Sequence, residues 1–359
     1  MFHIVLAFCK SIKVGSLRCF LFCYLDTNFF YISRTSWQGK INSLKSLELC
    51  YASVGDNHMA RFTDLPALEE LNFDSCPIGD WTIAHLADNN VVPNLQSLDL
   101  ADTDLSDAGM RHLAKFKKLK SLSLFYTNIS NRGLRYLSQL TSLQSLNLDS
   151  REIGDDGLWH LRNLKSLKSL DIFSGRITDG GCLHIARIKS LESLELCGGG
   201  ISDTGCAMLA TLDNLTSLNL SQNERITNRG AAALAALMKL KALNLSNTRV
   251  NSGALVHFGH LLQLQSLALY GCRGMENSNG LFRLQKELPS LKCVRLNNNG
   301  SDYDGIVMQN GSDDDESEDG SNLFQYTRYA QFRNSDSDDD SQMDDAEEID
   351  FEYFSEEEY

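Results

Sequence analysis

Four histidines, His85, His112, His160 and His184, each stand five residues after an aspartate, at Asp80, Asp107, Asp155 and Asp179. Imidazoles recurring at one offset could hold a metal or move protons, since the neutral ring is a common metal ligand. Zinc sites, however, pair their ligands at close spacing or add cysteines and carboxylates with supporting hydrogen bonds. Here each histidine falls in a separate copy of a repeating pattern, so the column, with His257 as a further member, is read as structural. No metal or cofactor is expected. The chain has 10 cysteines but no CxxC pair and no spacing of a disulfide framework, so they are read as reduced thiols. Cys76, Cys272, Cys182 and Cys206 suit small core positions. Cys50 and Cys197 fall just past the last leucine of a strand, where exposure would make them redox candidates. GxSxG, HExxH and a glycine-rich loop leading into Lys-Ser/Thr are all missing, and the GGG at 198–200 lacks a lysine. The chain is read as a non-enzyme.

The elements that would position these residues follow from a period. LxxLxL begins at Leu44, Leu68, Leu95, Leu119, Leu143, Leu167, Leu191, Leu215, Leu240, Leu264 and Leu291, mostly 24 residues apart. Within each copy the leucines alternate with polar residues, as Leu98 and Leu100 do with Ser97 and Asp99, which predicts a short strand buried on one face. A second apolar position follows ten residues after the opening leucine, at Val54, Ile78, Leu105, Ile129, Ile153, Ile177, Ile201 and Val250. Next come helix-start signals, SDAGM at 106, SNRGL at 130, TDGGC at 178, SDTGC at 202 and TNRGA at 227, whose Ser or Thr oxygens accept from first-turn amides. Apolar residues then recur at helical spacing, as in Met110, Leu113 and Phe116.

One such unit buries nothing alone, but stacked units share a core. The fold class expected is therefore an α/β solenoid, a horseshoe of about eleven repeats with parallel strands on the concave face and short helices on the convex one. Eight residues after each opening leucine, small polar side chains such as Thr103, Thr127, Asn223 and Thr248 are expected to satisfy buried loop amides. That ladder should be weakest at Arg151, Gly175 and Gly199.

The motif LxxLxLxxTxIxDxGLxxLxxL over residues 44 to 299 resembles the leucine-rich-repeat superfamily, nearest the ribonuclease-inhibitor-like and F-box-associated types found in many plant intracellular proteins. The resemblance implies a protein-binding role. Its F-box-associated branch implies substrate recognition for a ubiquitin ligase with an adaptor as partner, although no F-box pattern precedes the repeats. The Gly-x-Ile-Pro of plant receptor ectodomains is missing.

The concave face is the broad surface whose side chains are not committed to the core, and it is the candidate interface. Its central column includes Asp99, Asn147, Asp171, Glu195 and Asn219, and the next column adds Phe125, Asp149, Phe173 and Tyr270. Aromatics among polar groups are typical binding anchors. The acidic column disfavours nucleic acid, which is held by clustered Lys and Arg.

Two ends lie outside the array: residues 1–43, an extension without repeat phase, and 301–359. The repeat domain is bounded at 44–300. Residues 301–359 hold 21 Asp and Glu against Arg328 and Arg333, a net charge of −19 in a chain whose total is −14. This acidic tail is too poor in aliphatic residues for a core and is expected to be disordered. It is similar in plan to acidic nuclear phosphoproteins that bind histones, which implies a basic protein as a second partner. Ser312, Ser335, Ser337, Ser341 and Ser355 each precede an acid by three residues, a pattern for acidophilic kinases that would add charge. Near the start, Lys10, Lys13 and Arg18 break up short apolar runs, so neither a signal peptide nor a membrane span is expected. The combined expectation is a monomeric cytoplasmic or nuclear adaptor that binds a protein ligand.

Overall fold

The computed structural model describes residues 11–14, 17–19, 42–148, 152–173, 176–275 and 279–296, all within one compact unit. Eleven strands run parallel in sequence order: β3 Leu44–Glu48, β4 Glu70–Asn72, β5 Ser97–Asp99, β6 Ser121–Ser123, β7 Ser145–Asn147, β8 Ser169–Asp171, β9 Ser193–Glu195, β10 Ser217–Asn219, β11 Ala242–Asn244, β12 Ser266–Ala268 and β13 Cys293–Arg295. Two short strands, β1 Ser11–Val14 and β2 Leu17–Cys19, form an antiparallel pair, and β1 adds antiparallel to β3. The parallel register is the one the leucine alternation demands. Leu98 lies opposite Leu71 on one side and Leu122 on the other, so equivalent leucines stack into the core. A register slip of one residue would bring Ser97 and Asp99 inward instead.

Behind the sheet lie short helices: α1 Asp56–Met59, α2 Asp80–Asp88, α3 Asp107–Leu113, α4 Asn131–Leu134, α5 Asp155–Leu158, α6 Asp179–Ile185, α7 Asp203–Leu209, α8 Asn228–Leu234, α9 Leu255–Phe258 and α10 Asn279–Glu287. The side chains of Ser106, Ser130, Thr178, Ser202 and Thr227 cap their helices by accepting from the amide two residues on. Among the described residues no helix is long and apolar enough to cross a membrane.

The Asp or Asn that opens α1 to α8 has a second role, which joins neighbouring repeats. Asp179 accepts from the Ser202 backbone N–H at 2.8 Å and from its hydroxyl at 2.6 Å, and also from the Gly205 N–H at 2.9 Å. Asp80 and Asp107 bind Ser106 and Ser130 in the same way, and Asp203 binds Thr227. This carboxylate explains the glycine in SDTGC. A Cβ on Gly205 would stand 2.6 Å from Asp179 Oδ1 and 2.7 Å from Ile201 Cγ2.

The small polar residues after each strand mostly satisfy carbonyls rather than the loop amides expected. Thr103, Thr127 and Thr248 each donate to the carbonyl three residues back at 2.7 Å. Arg151 and Gly175 lie outside the described residues. At Gly199 the ladder is supported from the next repeat: Asn223 donates to the carbonyls of Leu196 and Leu220 at 2.8 and 3.0 Å, and its Oδ1 accepts from the Ile201 N–H at 3.1 Å. A side chain at Gly199 itself would meet the Ile177 carbonyl oxygen at 2.6 Å.

Candidate functional site

The residues expected to bind a ligand occupy the sheet face and the edge where the strands end. In the central column the side chains of Asn72, Asp99, Asn219 and Asn244 are turned onto their own chain. Asp99 Oδ1 accepts from the Ala101 N–H at 3.0 Å, Asn219 from Ser221 at 3.1 Å and Asn244 from Ser246 at 2.9 Å. These bonds hold the backbone as it leaves the strand, a local role that short amide and carboxylate side chains commonly take. Asp99, Asn147, Asp171 and Glu195 are half-buried, whereas Asn219 and Asn244 are only 5% and 1% exposed. Asn219 is therefore a buried structural residue, which corrects its placement on an open face.

Burial also alters the acids that remain. It raises the Asp99 carboxyl above its usual range, helped by the Asp74 carboxylate and opposed by bonds from the Ala101 N–H and Ser123. It pushes Glu195 from 4.5 up to about 7, against the opposing bond from Asn219. A carboxyl raised in the fold stabilises it fully below pH 4.5, and that contribution is lost as the pH climbs through about 7. Glu195→Gln is thus expected to leave stability unchanged near pH 4 and to raise it by up to about 3 kcal/mol above pH 8. Urea unfolding of both proteins at the two pH values checks this.

Phe125 and Phe173 are half-buried just past β6 and β8, two strands apart, or about 10 Å at the usual strand spacing. Asp149 lies outside the described residues. Tyr270 is half-buried past β12, six strands from Phe125 and so about 29 Å away, which separates it from the other two. The Phe125 ring lies 6.2 Å from the ring of Tyr126, tilted by 31°.

Tyr126 is the residue the sequence reading missed. Seven residues after the opening leucine, wherever that position is described, the chain enters the left-handed region, with φ of 58° at Tyr51, 57° at Ser75, 51° at Asp102, 54° at Tyr126, 61° at Gln222 and 54° at Asn247. The same position is glycine at 198 and 271, with φ of 71° and 69°. The reason is the ladder. The N–H of this residue donates to the next repeat, as from Asp102 to the Phe125 carbonyl at 2.8 Å, while the chain turns off the sheet. Glycine adopts this conformation without penalty, and a bulky residue does so at a cost of roughly 1–2 kcal/mol. Tyr51 and Tyr126 nonetheless occupy it and are 54% and 59% exposed. The repeat register alone marks this column, since its residue types vary from glycine through Ser, Asp, Gln and Asn to tyrosine.

The remaining chemistry-bearing residues are accounted for structurally. Cys50 and Cys197 are buried, at 8% and 2% exposed, which corrects the expectation of exposed thiols. Burial pushes the Cys197 thiol up to about 12, against a bond from Ser221, so it stays protonated and unreactive. Among the described residues no group of three or more His, Cys, Asp or Glu side chains converges as a metal site. His85 stacks on Trp81 with ring centroids 5.0 Å apart, His112 pairs with Asp88 at 2.8 Å, and His184 meets the Trp159 ring edge-on at 5.5 Å. Ser312, Ser335, Ser337, Ser341 and Ser355 lie outside the described residues.

Comparison with known proteins agrees with this architecture. Residues 189–250 match one leucine-rich-repeat family model, and 93–114, 117–138 and 163–186 match another. No curated protein sequence matches the chain. Among solved structures, an internalin (inlF) from Listeria monocytogenes is 20% identical over 75% of this chain and 84% of its own, with a TM-score of 0.49. An internalin C2 (inlC2) of the same organism is 23% identical over 60% and 85%, with a TM-score of 0.48. TLR13, solved in a complex with ssRNA13, is 20% identical over 72% of this chain and 40% of its own, with a TM-score of 0.51, and the likeness is one of fold. The eleven in-register strands, their convex helices and the matched segments make the repeat array of this chain a leucine-rich-repeat solenoid.

Proposed function

We propose that this chain is a protein-binding scaffold, an adaptor that captures a protein ligand at the strand-end edge of its middle repeats. The carrying observation is Tyr126, held at φ 54°, 59% exposed and set against Phe125. A bulky side chain kept in a conformation that favours glycine, with its ring in solvent, is placed for contact rather than for packing. Phe173 and the half-buried carboxylates of Asp171 and Glu195 extend the surface, so the ligand suited to it carries apolar side chains flanked by hydrogen-bond donors. The ligand class is protein, because the surface is broad and shallow and its ionisable groups are acidic.

Tyr126→Gly separates contact from packing. Relief of the left-handed strain should raise unfolding stability by up to about 1 kcal/mol, while binding at this edge falls at least tenfold. The partner is first trapped by a photo-crosslinking residue at position 125 in cells, and its affinity for the wild-type and variant chains is then measured with purified proteins. The assignment fails if Tyr126→Gly and Phe125→Ala both bind that partner as the wild type does. A cytoplasmic or nuclear location belongs to the same proposal, as does binding of a basic protein by residues 301–359.

A further inference from the structure

The convex side carries a second surface of different chemistry. Four residues past the starts of α5, α6, α7 and α8, and one past the start of α9, consecutive repeats place Trp159, Leu183, Ala207, Ala232 and Val256. Trp159, Leu183 and Val256 are 45%, 48% and 66% exposed, and α5 through α9 pack side by side, so these residues form one continuous apolar row. The preceding two helices have Arg111 and Arg135 at this position, as an outward-facing position of a solvated helix ordinarily would. Small residues in the middle of the row, Ala207 and Ala232, leave a shallow dip between Leu183 and Val256.

Charge around the row is mostly basic: the Arg162 guanidinium stacks over the Trp159 ring at 3.3 Å, and Asp156 at the start of α5 is the exposed acid beside it. Arg187 and Arg229 flank the row and have no carboxylate partner among the described residues. Asp179 and Asp203, at the starts of α6 and α7, are engaged by Ser202 and Thr227 in the inter-repeat ladder. At about 8–10 Å between packed helices, the dip from Leu183 to Val256 is about 24–30 Å long. With helices of about 10 Å length the whole face is on the order of 300 Å². A stable dimer buries about 800 Å² per partner, so a second copy is a poor occupant. The backbone there lies in helices and the turns that end them and offers no open strand edge, which rules out pairing as an added strand.

We propose that this convex face docks an acidic amphipathic helix of a partner protein. About 16–20 residues of helix match the length of the dip. The helix would lay its apolar side over Ala207 and Ala232 and set carboxylates against Arg187 and Arg229. This site is independent of the strand-end edge around Tyr126.

The test uses the full chain and two labelled synthetic peptides about 18 residues long. Both carry leucine and alanine at i, i+3 and i+4 positions, one with glutamates on the flanks and the other with lysines. Fluorescence anisotropy should show saturable binding of the glutamate peptide, at least tenfold tighter than the lysine peptide. Leu183→Asp and the pair Arg187→Glu with Arg229→Glu should each weaken it at least tenfold, whereas Tyr126→Gly should leave it unchanged. These positions are exposed, and circular dichroism of each variant checks that the fold is kept. The proposal is overturned by equal binding of the two peptides, by full binding in the arginine variants, or by a wild-type dimer in sedimentation that Leu183→Asp converts to monomer, which would make the face a self-interface.

Discussion

Asn223→Ala is expected to cost about 3–5 kcal/mol of unfolding free energy, because each buried polar group left without a partner costs about 1–3 kcal/mol. Asn223 is fully buried and supports two repeats at once. Its amide group serves the carbonyls of Leu196 and Leu220, and its Oδ1 takes the N–H of Ile201. Gly199, the equivalent residue one repeat earlier, has no side chain with which to share that work, and the approach of the Ile177 carbonyl leaves no space for one. Threonine at 223 should recover only part of the loss. Its hydroxyl would serve Leu220, as Thr248 serves Leu245, but would leave the earlier repeat unsupported. Urea unfolding of the three proteins checks the order wild type, threonine, alanine, and hydrogen exchange should show the loss centred on residues 193–226.

The second large effect is expected at Asp179. Alanine removes the acceptor for the Ser202 N–H, the Ser202 hydroxyl and the Gly205 N–H together, and should destabilise the chain by about 2–4 kcal/mol, since bonds to a charged acceptor contribute about 1.5–3 kcal/mol. Asparagine should cost much less. The array itself supplies the control: Asn131 accepts from the Gly154 N–H at 2.9 Å and Asn228 from the Asn251 N–H at 2.9 Å, at the same place in their own repeats. The hydroxyl bond that Asn keeps poorly at Ser202 is the remaining difference. Because each repeat touches only its neighbours, the damage should stay local and lower the cooperativity of unfolding as well as its midpoint. Thermal unfolding followed at two probes, one in the early repeats and one in the late, would detect the separation.

Much of the fold is legible in the sequence because its signals are local and repeated. Alternation of leucine with polar residues sets a strand, and Ser106, Ser130, Thr178, Ser202 and Thr227 mark helix starts by a bond that spans two residues. Neither depends on what lies in the next coil. The candidate face was legible only as a direction. Alternation placed Asp99 and Asn219 outward, but it carries no information on whether an outward side chain bonds its own backbone, as both do. Cys197 failed for the same reason, since its burial depends on neighbouring repeats.

By itself, then, the sequence determined the period, the strand register, the helix starts and the absence of a recognisable catalytic motif, all of which follow from residue types within one repeat. The tertiary structure alone decided which polar side chains are spent on the solenoid and which are not. That choice is made across repeats, between atoms more than 20 residues apart in the chain. It assigns Asp179 and Asn223 to the scaffold, and it holds Tyr126 in a strained, exposed turn. It also reveals that the unremarkable series Leu183, Ala207, Ala232 and Val256 stands as one apolar row on the outside.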